Sequence, residues 1–183
     1  TLLAASALCA AEPEFPLTED SKPHDNVPKG ELIKFELDVQ PILTARGCNA
    51  GPCHGKSRGQ NGFALSLLGF DADMDFHAIV TDGRGRRISP ASPEASLLLQ
   101  KATGQLPHGG GKRLDVDSPD YQLLANWIQT GFARRDASDP NLTGIRFSPD
   151  PRSLAAEEEL RLTVTADYSD GTQREVTART AFQ

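Results

Sequence analysis

The chain predicts a mainly α domain over residues 34–135, followed by the start of an all-β sandwich over residues 140–183. Three observations carry this expectation. Two runs, Ser92-Pro93-Glu94 and Ser118-Pro119-Asp120, place a capping hydroxyl and a proline where helices begin. The stretch from Val39 to Leu43 carries apolar residues at helical spacing. Beyond Arg135 the pattern changes to alternation, with Leu160, Leu162, Val164, Ala166 and Tyr168 on one face.

Taken in order, residues 1–11 read as the tail of a secretory signal, apolar and then small before the polar Glu12-Pro13-Glu14. Cleavage after Ala11 leaves Cys9 and Ala11 at the small-residue positions. Acylation of Cys9 as a lipoprotein is the alternative, although Leu8 is a poor neighbour for that cleavage. Residues 12–33 are rich in Pro, Asp, Glu and Lys without a hydrophobic period and read as a disordered linker, with His24 a solvated residue. A helix then starts near Phe35, with Asp38 as its cap, Pro41 in its first turn, and Val39, Ile42 and Leu43 facing inward. It runs directly into Cys48.

Phe63 to Phe70 alternates too loosely to separate a strand from packed coil. Asp73 to Val80 predicts a short helix with Phe76, Ile79 and Val80 inward and His77 at the surface or core edge. The helix opened by Ser92 carries Leu97, Leu98 and Leu99 and stops at Gly104. The one opened by Ser118 is the clearest, with Tyr121, Leu124, Trp127 and Ile128 inward and Gly131 at its end. Asp136 to Asn141 reads as a linker. Asp170-Gly171 is a hairpin turn leading to a returning strand, Thr172 to Val176. The β segment falls short of the ~100 residues of a complete sandwich, and no start methionine precedes the signal-like run, so the sequence reads as a piece cut at both ends.

Composition bounds the function. The net charge of -6, from 25 acidic against 19 basic residues, argues against a nucleic-acid surface and a polybasic membrane patch. No segment approaches the ~20 apolar residues that span a bilayer. Hydrophobic residues make up 38% and aromatics 6%, which implies a small core of the kind often supplemented by a cofactor, metal or disulfide.

The chemistry concentrates in Cys48-Asn-Ala-Gly-Pro-Cys53-His54-Gly55. Two nearby cysteines with a histidine directly after the second form the pattern of covalent haem attachment. Each thiol adds across one vinyl group, and the adjacent imidazole then ligates the iron. The usual run has two residues between the cysteines; the four here require a bulge, for which Gly51-Pro52 is suited. The alternative is a Cys48–Cys53 disulfide in a haem-free surface-interaction or spacer protein. An oxidising compartment suits both.

A distal ligand is offered by His108, in the loop Leu106-Pro107-His108-Gly109-Gly110-Gly111 between two predicted helices. Met74 or an open iron site are the alternatives. Two strong ligands make an electron carrier, whereas an open site binds small molecules. In the basic turn Gly83 to Arg87, either Arg86 or Arg87 can pair with a haem propionate, the two being indistinguishable; the bland reading is a solvated turn. No paired carboxylates, Ser/His/Asp set or phosphate-cradling loop argues for hydrolysis.

Several separated motifs occur in an order that resembles the cytochrome c-like domains called planctomycete cytochrome C: Asp38 to Leu43, Cys48 to His54, Ser96-Leu97-Leu98, Pro107 to Gly110, and Trp127 to Gly131. The resemblance covers roughly residues 35–133. It implies a cytochrome c-like fold with haem c held by Cys48 and Cys53, His54 proximal, and Trp127 packing the closing helix against the haem surroundings. Relatives often carry methionine before the distal-loop proline; Leu106 stands there, which throws weight onto His108. Val164 to Thr177 resembles a bacterial Ig-like domain, implying a spacer or adhesion module. The function so implied is one-electron transfer in a periplasmic, secreted or cell-surface setting. The redox partner protein is unidentified, association with the envelope is possible, and no enzyme activity is assigned.

Overall fold

The computed structural model describes residues 32–182, except 151, 154 and 156. The expectations for the signal-like run, Cys9 and His24 lie outside the described residues. Four α-helices are present among them: α1 Gln40–Ala45, α2 Ala72–Val80, α3 Leu97–Ala102 and α4 Pro119–Gln129. A π-helical turn, Phe35–Val39, leads into α1. Three strands follow, β1 Leu142–Ser148, β2 Thr163–Tyr168 and β3 Gln173–Glu175, in one antiparallel sheet of order β1-β2-β3.

The expected mainly α domain followed by the start of a sandwich is therefore corrected. The helices hold 6, 9, 6 and 11 residues, and most of the chain between them is turn and coil tied by backbone hydrogen bonds. The reason lies in the punctuation. Gly47, Gly83 and Gly104 take positive φ just beyond the ends of α1, α2 and α3, and residues 46–71, 81–96 and 103–118 hold no α-helix. The β part is a single three-stranded sheet with no second layer of strands among the described residues. The arrangement is mixed α and β.

Individual elements follow their local signals closely. Ser118 caps α4 by accepting from the Tyr121 N–H at 3.2 Å, and Pro119 occupies its first turn. Asp71, two residues before the expected start, caps α2 by accepting from the Met74 N–H. The helix opened by Ser92 breaks instead: a 3-10 turn at Pro93–Ala95 gives way at Ser96, which is extended, before α3 begins. Asp38 does not cap α1. Its carboxylate accepts the Lys34 N–H at 2.9 Å and lies 3.6 Å from both Arg174 and Arg179. In β2, Val164, Ala166 and Tyr168 are buried as the alternation requires, and Gly171 makes the turn at φ 82°.

Phe35, Val39, Ile42, Leu65, Ile79, Leu99, Leu124, Trp127 and Ile128 form the heart of the core. Trp127 is fully buried against Phe35 (ring centres 5.6 Å apart), Phe132 (5.9 Å) and Phe76 (6.3 Å). Its indole N–H donates to the Ala133 carbonyl at 3.1 Å, which also accepts the Phe35 N–H at 3.0 Å. Trp127 thus clamps α4 to the entry of α1, and its ring contacts among the described residues are these three phenylalanines.

Candidate functional site

The run from Cys48 to Gly55 folds as a tight loop directly off α1. Cys48 N–H donates to Leu43 O at 2.8 Å, Cys53 and Gly55 N–H both donate to Ala50 O at 3.0 Å, and His54 N–H returns to Cys48 O at 3.0 Å. That last bond closes the loop and brings His54 back beside the first cysteine. Gly51 borders open space and Pro52 is exposed, so this pair forms the expected outward bulge. Gly55 is required for a different reason: a Cβ there would lie 1.9 Å from the Asn49 carbonyl oxygen.

Both Cys48 and Cys53 are free thiols, each partly buried. Burial pushes the Cys48 thiol up to about 11, opposed by the nearby Arg113 cation. Arg113 also approaches Cys53, with Nη2 4.0 Å from Sγ. Nothing local in the sequence marked this arginine, which comes from the loop 60 residues downstream.

His54 and His108 also come together from distant parts of the chain. Their ring centres lie 6.3 Å apart and their planes within 7° of parallel. Each Nδ1 is held by a backbone carbonyl at 2.8 Å, Phe63 O for His54 and Gly111 O for His108. Each Nε2 is without a hydrogen bond among the described residues. A proton on Nδ1 therefore leaves the Nε2 lone pair available as a ligand atom, the arrangement that orients metal-binding imidazoles. Burial lowers the His54 pKa, His108 and Arg87 lower it further, and the Phe63 carbonyl opposes them, so the neutral, ligating form is favoured. Gly110 packs against the His108 ring: a Cβ there would meet Cε1 at 3.0 Å and Nε2 at 3.3 Å.

The other nominated residues separate clearly. Met74 sits exposed in the first turn of α2, and His77 is exposed with its Nδ1 against the Thr81 hydroxyl. Arg86 is exposed. Arg87 is 4% exposed, and its guanidinium donates to the carbonyls of Ala78, Asp82 and Gly62. Arg87 thus turns inward and uses three of its N–H donors on backbone carbonyls, whereas Arg86 stays at the surface. Sequence reasoning also missed Asn49. This residue is fully buried, donates to Thr44 Oγ1 at 2.8 Å, and keeps its Oδ1 without a partner.

Among the described residues no group of three or more His, Cys, Asp or Glu side chains forms a metal cage, so the imidazole pair stands as a two-ligand arrangement. Two surface clefts, of about 580 and 300 Å³, lie elsewhere and are lined by none of Cys48, Cys53, His54 or His108. No helix among the described residues is long and apolar enough to cross a membrane. No protein family, curated protein or solved structure matches this chain.

Proposed function

We propose that this chain is a periplasmic or extracellular electron-transfer module carrying a covalently attached haem c. Cys48 and Cys53 would hold the group as thioethers, and His54 and His108 would ligate its iron. The observation that carries the reading is the imidazole pair: parallel rings, both Nδ1 atoms fixed by carbonyls, both Nε2 atoms free, next to two unjoined thiols. The two rings lie near-parallel with centres 6.3 Å apart, which supports their acting as a pair. The donor set fits as well, since two thiols and a following histidine are what covalent haem attachment consumes.

A bound haem c supplies a reversible one-electron iron couple. The chain's own residues do the rest. The Cys48–His54 hydrogen bond sets the spacing between thiols and imidazole, the Phe63 and Gly111 carbonyls hold the two tautomers, and Gly110 leaves the His108 ring unobstructed. Two imidazoles lower the reduction potential relative to a His/Met pair and leave no position for a substrate. Transfer of one electron then needs no catalytic base.

Expression in a host competent for cytochrome maturation, followed by a pyridine haemochrome assay, tests the reading. The expected result is one covalent haem per chain, abolished by the double substitution of Cys48 and Cys53 to serine. His108→Ala should convert a carbon monoxide-refractory reduced protein into one that binds it. Colourless protein with a Cys48–Cys53 disulfide by mass spectrometry would overturn the proposal in favour of a haem-free surface protein.

A further inference from the structure

We propose that Arg87 is a positioning residue for His54, selecting which imidazole nitrogen is left free to bind a ligand. The inference rests on the proposed function only for its consequence at the iron; its central claim concerns the imidazole itself.

Arg87 is a cation only 4% exposed; the Asp82 carboxylate favours its charge and Arg86 opposes it. Such a group is costly unless its donors are satisfied. Here Nη1 donates to Ala78 O at 2.8 Å and Asp82 O at 2.7 Å, which anchors the guanidinium to the last turns of α2 and the loop after it. Nη2 donates to Gly62 O at 3.0 Å. Its flat face lies 4.6 Å from the centre of the Phe63 ring. Arg87 therefore grips two successive residues, 62 and 63, by a hydrogen bond and by cation–π contact.

Phe63 passes this grip to His54 twice. Its ring centre lies 4.5 Å from that of the imidazole, and its carbonyl takes the Nδ1 proton at 2.8 Å. The same carbonyl accepts the Gln60 N–H at 2.9 Å, so its direction is fixed from two sides. A neutral imidazole carries its proton on either nitrogen, and a carbonyl fixed at Nδ1 selects one form. The planar fork matters because it reaches three carbonyls while presenting a face to the ring, which a lysine ammonium does not do.

Nitrogen-15 NMR of the full chain before haem attachment reads this directly. The unaltered protein should show His54 predominantly protonated at Nδ1. Arg87→Lys, which keeps the charge, should reduce that form by about twofold or more, toward the mixture of a solvated histidine. Arg86→Gln should leave His54 unchanged. After haem attachment the Arg87→Lys protein should show a higher reduction potential, because a less firmly held Nδ1–H makes the ligand a weaker donor. A folded Arg87→Lys protein with an unaltered His54 tautomer overturns the proposal. If that variant does not fold, the unaltered protein decides: resolved, slowly exchanging Arg87 guanidinium protons support the clamp, and averaged, rapidly exchanging ones overturn it. Absence of haem would sink the proposed function while leaving the tautomer result standing.

Discussion

Replacing Gly55 by alanine tests whether the Cys48–His54 loop is held as tightly as its geometry requires. The added Cβ would lie 1.9 Å from Asn49 O, 2.6 Å from Asn49 C and 3.0 Å from Ala50 C, all backbone atoms with no rotamer to change. Gly55 is not among the glycines at positive φ, so the penalty is steric alone. Ordinary non-bonded contacts are about 3.5 Å, so the two arms of the loop must part by roughly 1.5 Å. Movement on that scale removes the Gly55–Ala50 and His54–Cys48 hydrogen bonds, both 3.0 Å. At about 1 kcal/mol each, with about 1–3 kcal/mol of overpacking strain, the loss is about 3–5 kcal/mol. For a domain of this size that lowers Tm by on the order of 10 °C. Gly51→Ala is the control, because nothing lies within 4 Å of its Cβ position, and it should stay within about 0.5 kcal/mol of the parent. Scanning calorimetry of both variants is the assay. A Gly55→Ala protein that melts within about 2 °C of the Gly51→Ala control would refute the reasoning.

The Cys48 thiol, raised from 9.0 to about 11, predicts a pH signature for the free thiol. At pH 8 iodoacetamide should modify Cys48 in the folded chain about a hundredfold more slowly than in the unfolded chain, rising about tenfold per pH unit toward pH 11. Because the native thiol keeps a proton that the unfolded chain has released, stability should decline as pH rises from about 9 to about 11. A modification rate that levels off below pH 9, followed by mass spectrometry, would contradict the burial. Asp75 is fully buried and accepts from Ser66 N at 2.5 Å, Ser66 Oγ at 2.9 Å and Gln40 Nε2 at 3.0 Å. Asp75→Ala strands all three donors and should cost about 3–5 kcal/mol by chemical denaturation; a loss below about 1 kcal/mol would show that the donors find other partners.

What the amino-acid sequence determined by itself was local. Ser118 and Pro119 start α4 at its apolar stripe, and the alternation of Val164, Ala166 and Tyr168 selects one buried face. These signals act over a few residues, where capping, period and spacing decide the outcome. Tertiary structure decided the rest. Long stretches of turn and coil separate the helices and the β part is a single sheet, so the expected mainly α domain became a mixed one. Arg86 and Arg87, adjacent and chemically identical, were separated only by which of them turns inward to the end of α2. Arg113 reaches the thiols, and His108 reaches His54, from positions more than fifty residues away. Such meetings depend on how the whole backbone packs, and a pattern read along the chain carries no distance across it.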